Sequence, residues 1–332
     1  MRYTRTSLLG LIILFACCNS VDPREMILSA SFPASFEVTE ISCSGKFPII
    51  FGRRRELGSV ETDASILVLD GAGLLAEPYL RTRSRILSGA AGPRGDTVAI
   101  VQDEREHFVV FSHDAGKSWS RLSNGPPLLL GAAMGSQGTA YAWTSSLIYF
   151  SSPIDSKWTS RPFSPILERG RPVPVVDSDG WLWVVQNRQR GPISRIVALD
   201  SGLEVKIDQD LTDKIVGIAA SGDVLALALQ KNGFGSSLVA LADKRRGSLD
   251  VRKVSDLGND LVVDFDASAS EFAAIMSRVS GVTASRYVVF ESLDGGAQQR
   301  FTVESDMPEQ VCITPSGIRW VAGEKHLWRL GD

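Results

Sequence analysis

Ile86-Leu87-Ser88-Gly89-Ala90-Ala91-Gly92-Pro93-Arg94-Gly95 and Leu129-Leu130-Gly131-Ala132-Ala133-Met134-Gly135-Ser136-Gln137-Gly138 are two copies of one phrase. The first leads into Thr97-Val98-Ala99-Ile100-Val101, then Phe108-Val109-Val110-Phe111-Ser112, then a turn to Trp119. The second leads into Thr139-Ala140-Tyr141-Ala142-Trp143, then Leu147-Ile148-Tyr149-Phe150-Ser151, then a turn to Trp158. Short apolar runs bounded by Gly, Ser, Asp and Pro are strand and turn signals, so each copy reads as four strands joined by tight turns.

The glycine that ends the phrase recurs along the chain. Its successive positions are Gly95, Gly138, Gly180, Gly222, Ser270 and Gly317, and an earlier, weaker copy starts at Ser44-Gly45. An apolar strand follows each, as in Trp181 to Val185, Val224 to Leu229, Phe272 to Met276 and Ile318 to Ala322. A period of ~40–50 residues with four strands per unit is the mark of an all-β propeller. Stacking such sheets radially buries both apolar faces of each and shields its edges. Seven markers imply seven four-stranded blades, with six or eight as the alternatives. After Gly317 only two more strands fit before Asp332, so the last blade lacks its outer strand. Phe36-Glu37-Val38-Thr39-Glu40-Ile41 alternates with period two and is the expected donor, which would close the ring by mixing the two ends of the chain.

The 332 residues carry 35 Lys and Arg against 38 Asp and Glu, a formal net charge of −3. That near-neutral balance argues against a nucleic-acid binder. At 44% hydrophobic and 22% charged residues, the composition excludes a disordered, collagen-like or coiled-coil chain.

The amino terminus has a different character. Arg2 and Arg5 precede the apolar run Leu8 to Ala16, with no acid before residue 22. Nine residues are far short of the ~20 that span a bilayer, and the pattern fits a secretory signal. The run ends Leu14-Phe15-Ala16-Cys17, which resembles a bacterial lipobox. In that class the cysteine is lipidated and becomes the new amino terminus. The resemblance implies a signal peptide over 1–16, lipidation at Cys17, a tether over 17–35 and a single propeller domain over 36–332. It also implies attachment to a membrane of the cell envelope, firm because several acyl chains hold far better than one. Cys18 and Asn19 follow, with no Asp at the position after Cys17, which resembles outer-membrane sorting in a Gram-negative host. An ordinary secretory signal is the alternative. Removing 1–16 takes away two Arg, so the mature charge is 33 − 38 = −5.

An exported compartment permits disulfides. Cys43 and Cys312 each precede a turn marker, Gly45 and Gly317, in the first and last blades. Those blades become neighbours on closure, so a bridge between them is expected, with two separate buried thiols as the alternative. His107, His113 and His326 have no metal-ligand spacing and there is no CxxC, so neither a metal site nor a cofactor is expected.

Ser112-His113-Asp114-Ala115-Gly116-Lys117-Ser118-Trp119 resembles the Asp-box of sialidase-like propellers, a family that includes the sortilin and photosystem-assembly-factor types. There the Asp satisfies backbone N–H groups inside a hairpin turn, the Gly takes a positive φ and the Trp packs back over the blade. Ser292-Leu293-Asp294-Gly295-Gly296 is a partial copy, and Ser152 to Trp158 a shorter one. The resemblance implies a structural role for Ser112, Asp114, Gly116, Trp119, Ser292, Asp294 and Gly296, and it extends to the fold alone.

Sialidases set an arginine cluster, a tyrosine nucleophile and acids in such a ring. The family's early Arg-Ile-Pro segment is absent, Tyr141 and Tyr149 lie inside expected strands, and no other catalytic motif is present. Asp177/Asp179 and Asp264/Asp266 are the paired carboxylates, and both pairs read first as turn formers. Positive charge gathers at Arg53, Arg54, Arg55, Arg81, Arg83 and Arg85, whereas the stretch 200–309 holds 18 acids against 11 bases. A ring with one basic and one acidic side could steer a charged partner. The expected function is a non-catalytic binding module with a protein partner: a scaffold, assembly factor or inhibitor. The alternative is a divergent sialidase-like glycan hydrolase or a glycan-binding protein.

Overall fold

A computed structural model of the chain describes residues 26–330 apart from 44, 46, 56–57, 71–72, 74, 93, 105, 122–127, 136, 145, 152–157, 163–174, 177–179, 188–192, 222, 232–234, 246–247, 281 and 304–305, and the side chains of 175, 176 and 245. The signal segment, Cys17, Cys18 and Asp177/Asp179 therefore lie outside the described residues.

The strands form seven antiparallel four-stranded sheets. Blade 1 is Phe36–Ser42, Ile49–Arg55, Thr62–Leu69 and Leu75–Arg81. Blade 2 is Ser84–Ala91, Thr97–Asp103, His107–Ser112 and Ser120–Arg121. Blade 3 is Gly131–Met134, Ala140–Trp143, Leu147–Ser151 and Thr159–Pro162. Blade 4 is Val175–Val176, Leu182–Asn187, Ser194–Leu199 and Val205–Leu211. Blade 5 is Lys214–Ser221, Val224–Gln230, Ser237–Arg245 and Ser248–Gly258. Blade 6 is Leu261–Ala267, Glu271–Ser280, Thr283–Ser292 and Gln299–Phe301. Blade 7 is Pro308–Ile313, Arg319–Gly323, His326–Leu330 and, on its outer edge, Met26–Ser31. The first strands of consecutive blades touch one another around the whole ring, including blade 7 against blade 1, so they line the central axis.

Period-two alternation explains the stacking, because a strand presents successive side chains to opposite faces. In the second strand of blade 2, Ala99 and Val101 pack against Ile49, Phe51 and Ile66 of blade 1. Val98 and Ile100 pack the other way, against Leu129, Ala132 and Ala142 of blade 3. The same division holds at every seam, giving seven apolar layers for seven blades. Each sheet is thus buried on both faces, which a lone four-stranded sheet cannot achieve.

The repeated turn is a piece of backbone geometry. Gly92 N–H donates to Asp96 O while Gly95 N–H donates to Gly92 O. Gly135 with Thr139 and Gly138, and Thr314 with Ile318 and Gly317, make the same two bonds. The closing residue takes a φ of 85° at Gly95, 80° at Gly138 and 83° at Gly317, a region that glycine enters without a Cβ penalty. Ser270 breaks the pattern because blade 6 uses a shorter turn, closed by Ser268 N–H to Glu271 O, that needs no positive φ.

The ring closes with a different strand from the one expected. Met26–Ser31 pairs antiparallel with His326–Leu330 and completes blade 7. Phe36–Ser42 is the innermost strand of blade 1. The alternation that marked residues 36–41 is that of any strand packed between two blades, so it could not tell an inner strand from an outer one. The boundary of the propeller accordingly moves from 36 to 26, into the stretch read as tether. A second device spans the same seam: Cys43 and Cys312 form a disulfide, with Cα atoms 5.7 Å apart and a sequence separation of 269.

The chain runs up and down through every blade, so the ring has two unlike ends. One end, the turn face, carries the turns joining first to second and third to fourth strands. The other, the connection face, carries the loops joining second to third strands and the links between blades.

Candidate functional site

Among the described residues, side chains that could do chemistry or binding gather at a turn on the rim of blade 2, in a sector of arginines on blades 1 and 2, along the central axis and around Tyr287 of blade 6.

The turn at 112–119 lies between the third and fourth strands of blade 2, on the turn face. Ser112 Oγ donates to Asp114 Oδ1 at 2.8 Å and accepts Gly116 N–H at 2.9 Å. Asp114 accepts the Ser118 N–H at 2.8 Å and the Ser118 hydroxyl at 2.6 Å. That hydroxyl, with the Ser118 N–H and Ser112, holds the exposed Asp114 carboxyl down at about 2. Ala115 N–H donates to Gly95 O, so this hairpin is tied to the repeated turn of its own blade. Gly116 has a φ of 80°, and a Cβ there would meet Ile49 and Val68 of blade 1 at 3.1 Å. Trp119 bonds Gly116 O through Nε1 at 2.9 Å, and its ring packs on Phe51 and Tyr79. The tryptophan therefore seals the seam between blades 1 and 2 rather than capping its own blade. Blade 6 repeats part of this arrangement. Ser292 Oγ bonds Asp294 at 2.7 Å, Leu293 N–H reaches Ser270 O, and Gly295, one place before Gly296, takes a φ of 92°. Gln299, where the tryptophan would stand, begins an outer strand instead. The third copy falls largely outside the described residues. Replacing Trp119 by Ala is expected to destabilise the fold by about 2–4 kcal/mol, the range for removing a large aromatic from a packed seam. Chemical denaturation measures this, and a loss below ~0.5 kcal/mol would show that the ring carries no such load.

All six arginines singled out from the sequence lie on blades 1 and 2, but they do not form a bare basic patch. Arg53 and Arg55 pair with Glu37, Arg54 with Glu77 at 3.0 Å, Arg81 with Asp103 at 3.0 Å and Arg83 with Glu61 at 3.1 Å. Arg85 donates to Gln102 at 2.7 Å. The acidic stretch is balanced in the same way, by Lys206 with Asp200, Lys253 with Asp256, Arg278 with Asp260 and Arg286 with Glu309. The folded protein thus intersperses its charges. Lys206 with Asp200 and Lys253 with Asp256 are local pairs, but strand pairing brings together the others, such as Arg54 with Glu77 and Arg81 with Asp103, across about twenty residues, which a count along the chain cannot reveal.

Within this sector Arg81 and Arg121 both lie 4.4 Å from the Phe108 ring, a cation–π arrangement. With Tyr79, Leu80, Thr82 and Val110 they line an open concavity of about 430 Å³ on the outer flank of the seam. Burial pushes the Tyr79 hydroxyl up in pKa against the pull of Arg81 and Arg121. A second concavity of about 250 Å³ opens on the connection face between Val60, Glu61, Arg83, Arg85 and Glu104.

The axis carries acids instead. Asp264 and Asp266 are not turn residues: they stand inside the innermost strand of blade 6 and reach across to blade 7. Asp264 accepts Val311 N–H and Asp266 accepts Ile313 N–H, each at 2.7 Å. Glu40 does the same two seams further on, between blades 1 and 2, accepting Gly89 N–H at 2.8 Å and the Ser88 hydroxyl at 3.2 Å. Each carboxyl satisfies a backbone donor on the inner edge of the next blade. Desolvation raises Glu40 and Asp266 to about 7 and Asp264 to about 6. Sequence reasoning missed Glu40, although its signal was present: an acid inside an apolar alternating strand, five residues before the marker Gly45. Among the described residues of the seven innermost strands the one arginine is Arg85, which is exposed. Among the described residues, no arginine–tyrosine grouping of the kind used by sialidases lies on the innermost strands. Two groupings of this kind, Tyr79 with Arg81 and Arg121 and Tyr287 with Asp260, Arg278 and Arg300, have their tyrosines and arginines on strands outside the innermost ones. Trp183 and Trp320 are core residues, while Trp181 is half-buried beneath Lys244.

No family model matches this sequence, and no curated protein matches it either. Solved structures do. The structure of YCF48 bound to D1 peptide is 15% identical, covers 94% of this chain and 96% of its own, and has a TM-score of 0.61. A streptogramin B lyase is 13% identical, covers 92% of this chain and 96% of its own, and has a TM-score of 0.60. A chain of the mitotic checkpoint complex is 11% identical, covers 99% of both and has a TM-score of 0.65. At these identities the likeness is one of fold, and the fold is the seven-bladed propeller.

Proposed function

We propose that this chain is a non-catalytic lipoprotein of the cell envelope whose propeller binds a protein partner, as a scaffold, assembly factor or inhibitor. The observation that carries the binding reading is how the chemically capable side chains are employed. The sector arginines are engaged with neighbouring side chains, the axial carboxyls with backbone N–H groups, and the two concavities are open and shallow. Open surfaces of mixed charge and aromatic character suit a macromolecular partner better than a small substrate, which binds in enclosed, largely apolar pockets. Propellers of this shape include YCF48 in complex with a peptide, which supports the same reading. The envelope anchor rests on Arg2, Arg5, the short apolar run and Cys17. The turn at 112–119, with its Asp114 network, is read as an Asp-box with a structural role.

Labelling cells with a fatty-acid probe tests the anchor. The wild-type chain should take up label and the Cys17→Ser chain should not; label retained in the variant removes the lipoprotein reading. Purification from detergent-solubilised envelopes should then yield a stoichiometric protein partner, whereas glycosidase turnover with no partner would favour the hydrolase.

A further inference from the structure

We infer that the propeller sits with its turn face towards the membrane and presents its connection face to the partner; this rests on the lipid-anchor reading above. The argument begins where the described chain begins. Met26 pairs with Leu330 and Ser31 with His326, so the chain enters the ring at the turn-face end of the outer edge of blade 7 and climbs to the connection face. From Cys17 to Met26 is nine residues, which span at most ~32 Å when fully extended. The strands of blade 7 are five or six residues long, about 20 Å at the usual rise, before the turns at either end are added. An arrangement with the connection face down would lift the attachment point by the whole height of the blade. That height alone takes up about two thirds of the reach of those nine residues. With the turn face down, the attachment point is already beside the bilayer and any shorter path suffices.

The surface itself divides the same way. Eight of the eleven large apolar side chains exposed among the described residues lie at the connection-face end of their strands or in its loops. The most prominent are Val60 and Val282, almost wholly exposed, with Leu128 at 71% and Val279 at 65%. Val279 and Val282 sit at the tip of the hairpin formed by two ten-residue strands of blade 6, the longest paired strands in the ring next to those of blade 5. Val60 belongs to blade 1 and lines the concavity that also holds Arg83, Arg85 and Glu104. Apolar tips on separate blades, set among charges of both signs, fit a folded protein that rests across the ring. The turn face, by contrast, is built of Gly, Ser and Asp turns. Ile27 and Leu28, each 55% exposed, are placed where the leash joins, at the level of the bilayer surface.

The test uses the full lipidated chain, purified from envelopes in a Cys18→Ser background and reconstituted into phosphatidylethanolamine–phosphatidylglycerol vesicles. The vesicles carry a small fraction of headgroup-labelled acceptor lipid. A donor dye is attached at a single new cysteine, Lys117→Cys on the turn face or Val60→Cys or Val282→Cys on the connection face. Energy transfer to the lipid should be at least twofold greater from 117 than from 60 or 282. Equal transfer from the two faces, or greater transfer from 60 and 282, overturns the orientation. Failure of the anchor is distinguishable: the wild-type chain would then leave the vesicles as readily as Cys17→Ser. In a second arm, Val60→Asp with Val282→Asp should lower recovery of the purified partner at least tenfold, and Lys117→Glu should leave it unchanged. The reverse pattern assigns the partner to the turn face and overturns the proposal.

Discussion

Replacing Cys312 by Ser is expected to destabilise the protein by about 5–6 kcal/mol, the chain-entropy value for a closed loop of this length. The bridge joins the innermost strand of blade 7 to the residue following that of blade 1, across a sequence separation of 269. Without it, the unfolded chain regains the freedom of nearly the whole domain, and the closing seam depends on its apolar layer and on the pairing of Met26–Ser31 with His326–Leu330. Cys312 is 2% exposed and packs among Ile41, Ile50, Trp320 and Leu327, so the serine also leaves a hydroxyl in an apolar setting. Cys43→Ser tests the same bond with less of that second cost, because Cys43 is only partly buried. Urea denaturation of both variants, and of the wild type with and without reductant, measures the effect. Midpoints that coincide for oxidised and reduced wild type would show that the bond does not hold the ring.

The second large effect is a dependence on pH. Asp266 titrates at about 7 in the folded protein against an ordinary 3.8, Glu40 at about 7 against 4.5 and Asp264 at about 6 against 3.8. Desolvation is the main cause at each, and the repulsion between Asp264 and its two neighbours adds to it. A carboxyl whose pKa is raised by folding binds its proton more tightly in the native state. Between its unfolded and folded values the native state holds more protons, so stability falls as pH rises through that window. The three groups therefore favour the ring at pH 4–5 and progressively oppose it up to about pH 7. Asp114, held at about 2, acts in the opposite sense: its contribution is complete above its ordinary 3.8 and is lost as the pH falls towards 2. Asp266→Asn retains an oxygen to accept Ile313 N–H, gives up the oxygen that accepts Ala267 N–H at 2.8 Å, and cannot ionise. It should therefore gain on the wild type by about 1–3 kcal/mol between pH 5 and pH 8, less than the full shift implies because the side chain is only partly buried. Urea midpoints at the two pH values check this. A variant that gains nothing on the wild type between them would mean that the ionised carboxylate is the form the ring needs.

The axial carboxyls also explain why three acids stand inside apolar strands. The first strand of each blade has no fifth strand to take up its inner N–H groups. Glu40, Asp264 and Asp266, with Ser42 and Ser88, reach across and accept them from the next blade, at Gly89, Val311, Ile313, Ala91 and Ala132. Side chains thus do for the axis what a ladder does within a sheet, and each keeps a buried donor from being left unpaired.

Local chemistry and periodicity were enough to read the repeat, the seven blades, the glycine turns and the hairpin at 112–119. Each depends on residues within a few positions of one another, or on one pattern recurring at a set interval. Cys43 and Cys312 were legible as partners for the same reason, since a numbered repeat makes the first and last blades neighbours. What the one-dimensional pattern could not carry was everything set by contact between distant strands. Alternation in 36–41 is the same whether the strand lies inside or outside, and only pairing with His326–Leu330 shows that Met26–Ser31 closes blade 7. The arginine runs look like a basic face until strand register brings Glu37, Glu61, Glu77 and Asp103 beside them. Asp264 and Asp266 look like turn formers until the ring sets the inner edge of blade 7 against them. Side-chain periodicity is a property of one strand and survives in the sequence. Charge compensation, inner-edge satisfaction and the polarity of the two faces belong to the ring, and they exist only once the blades have closed on each other.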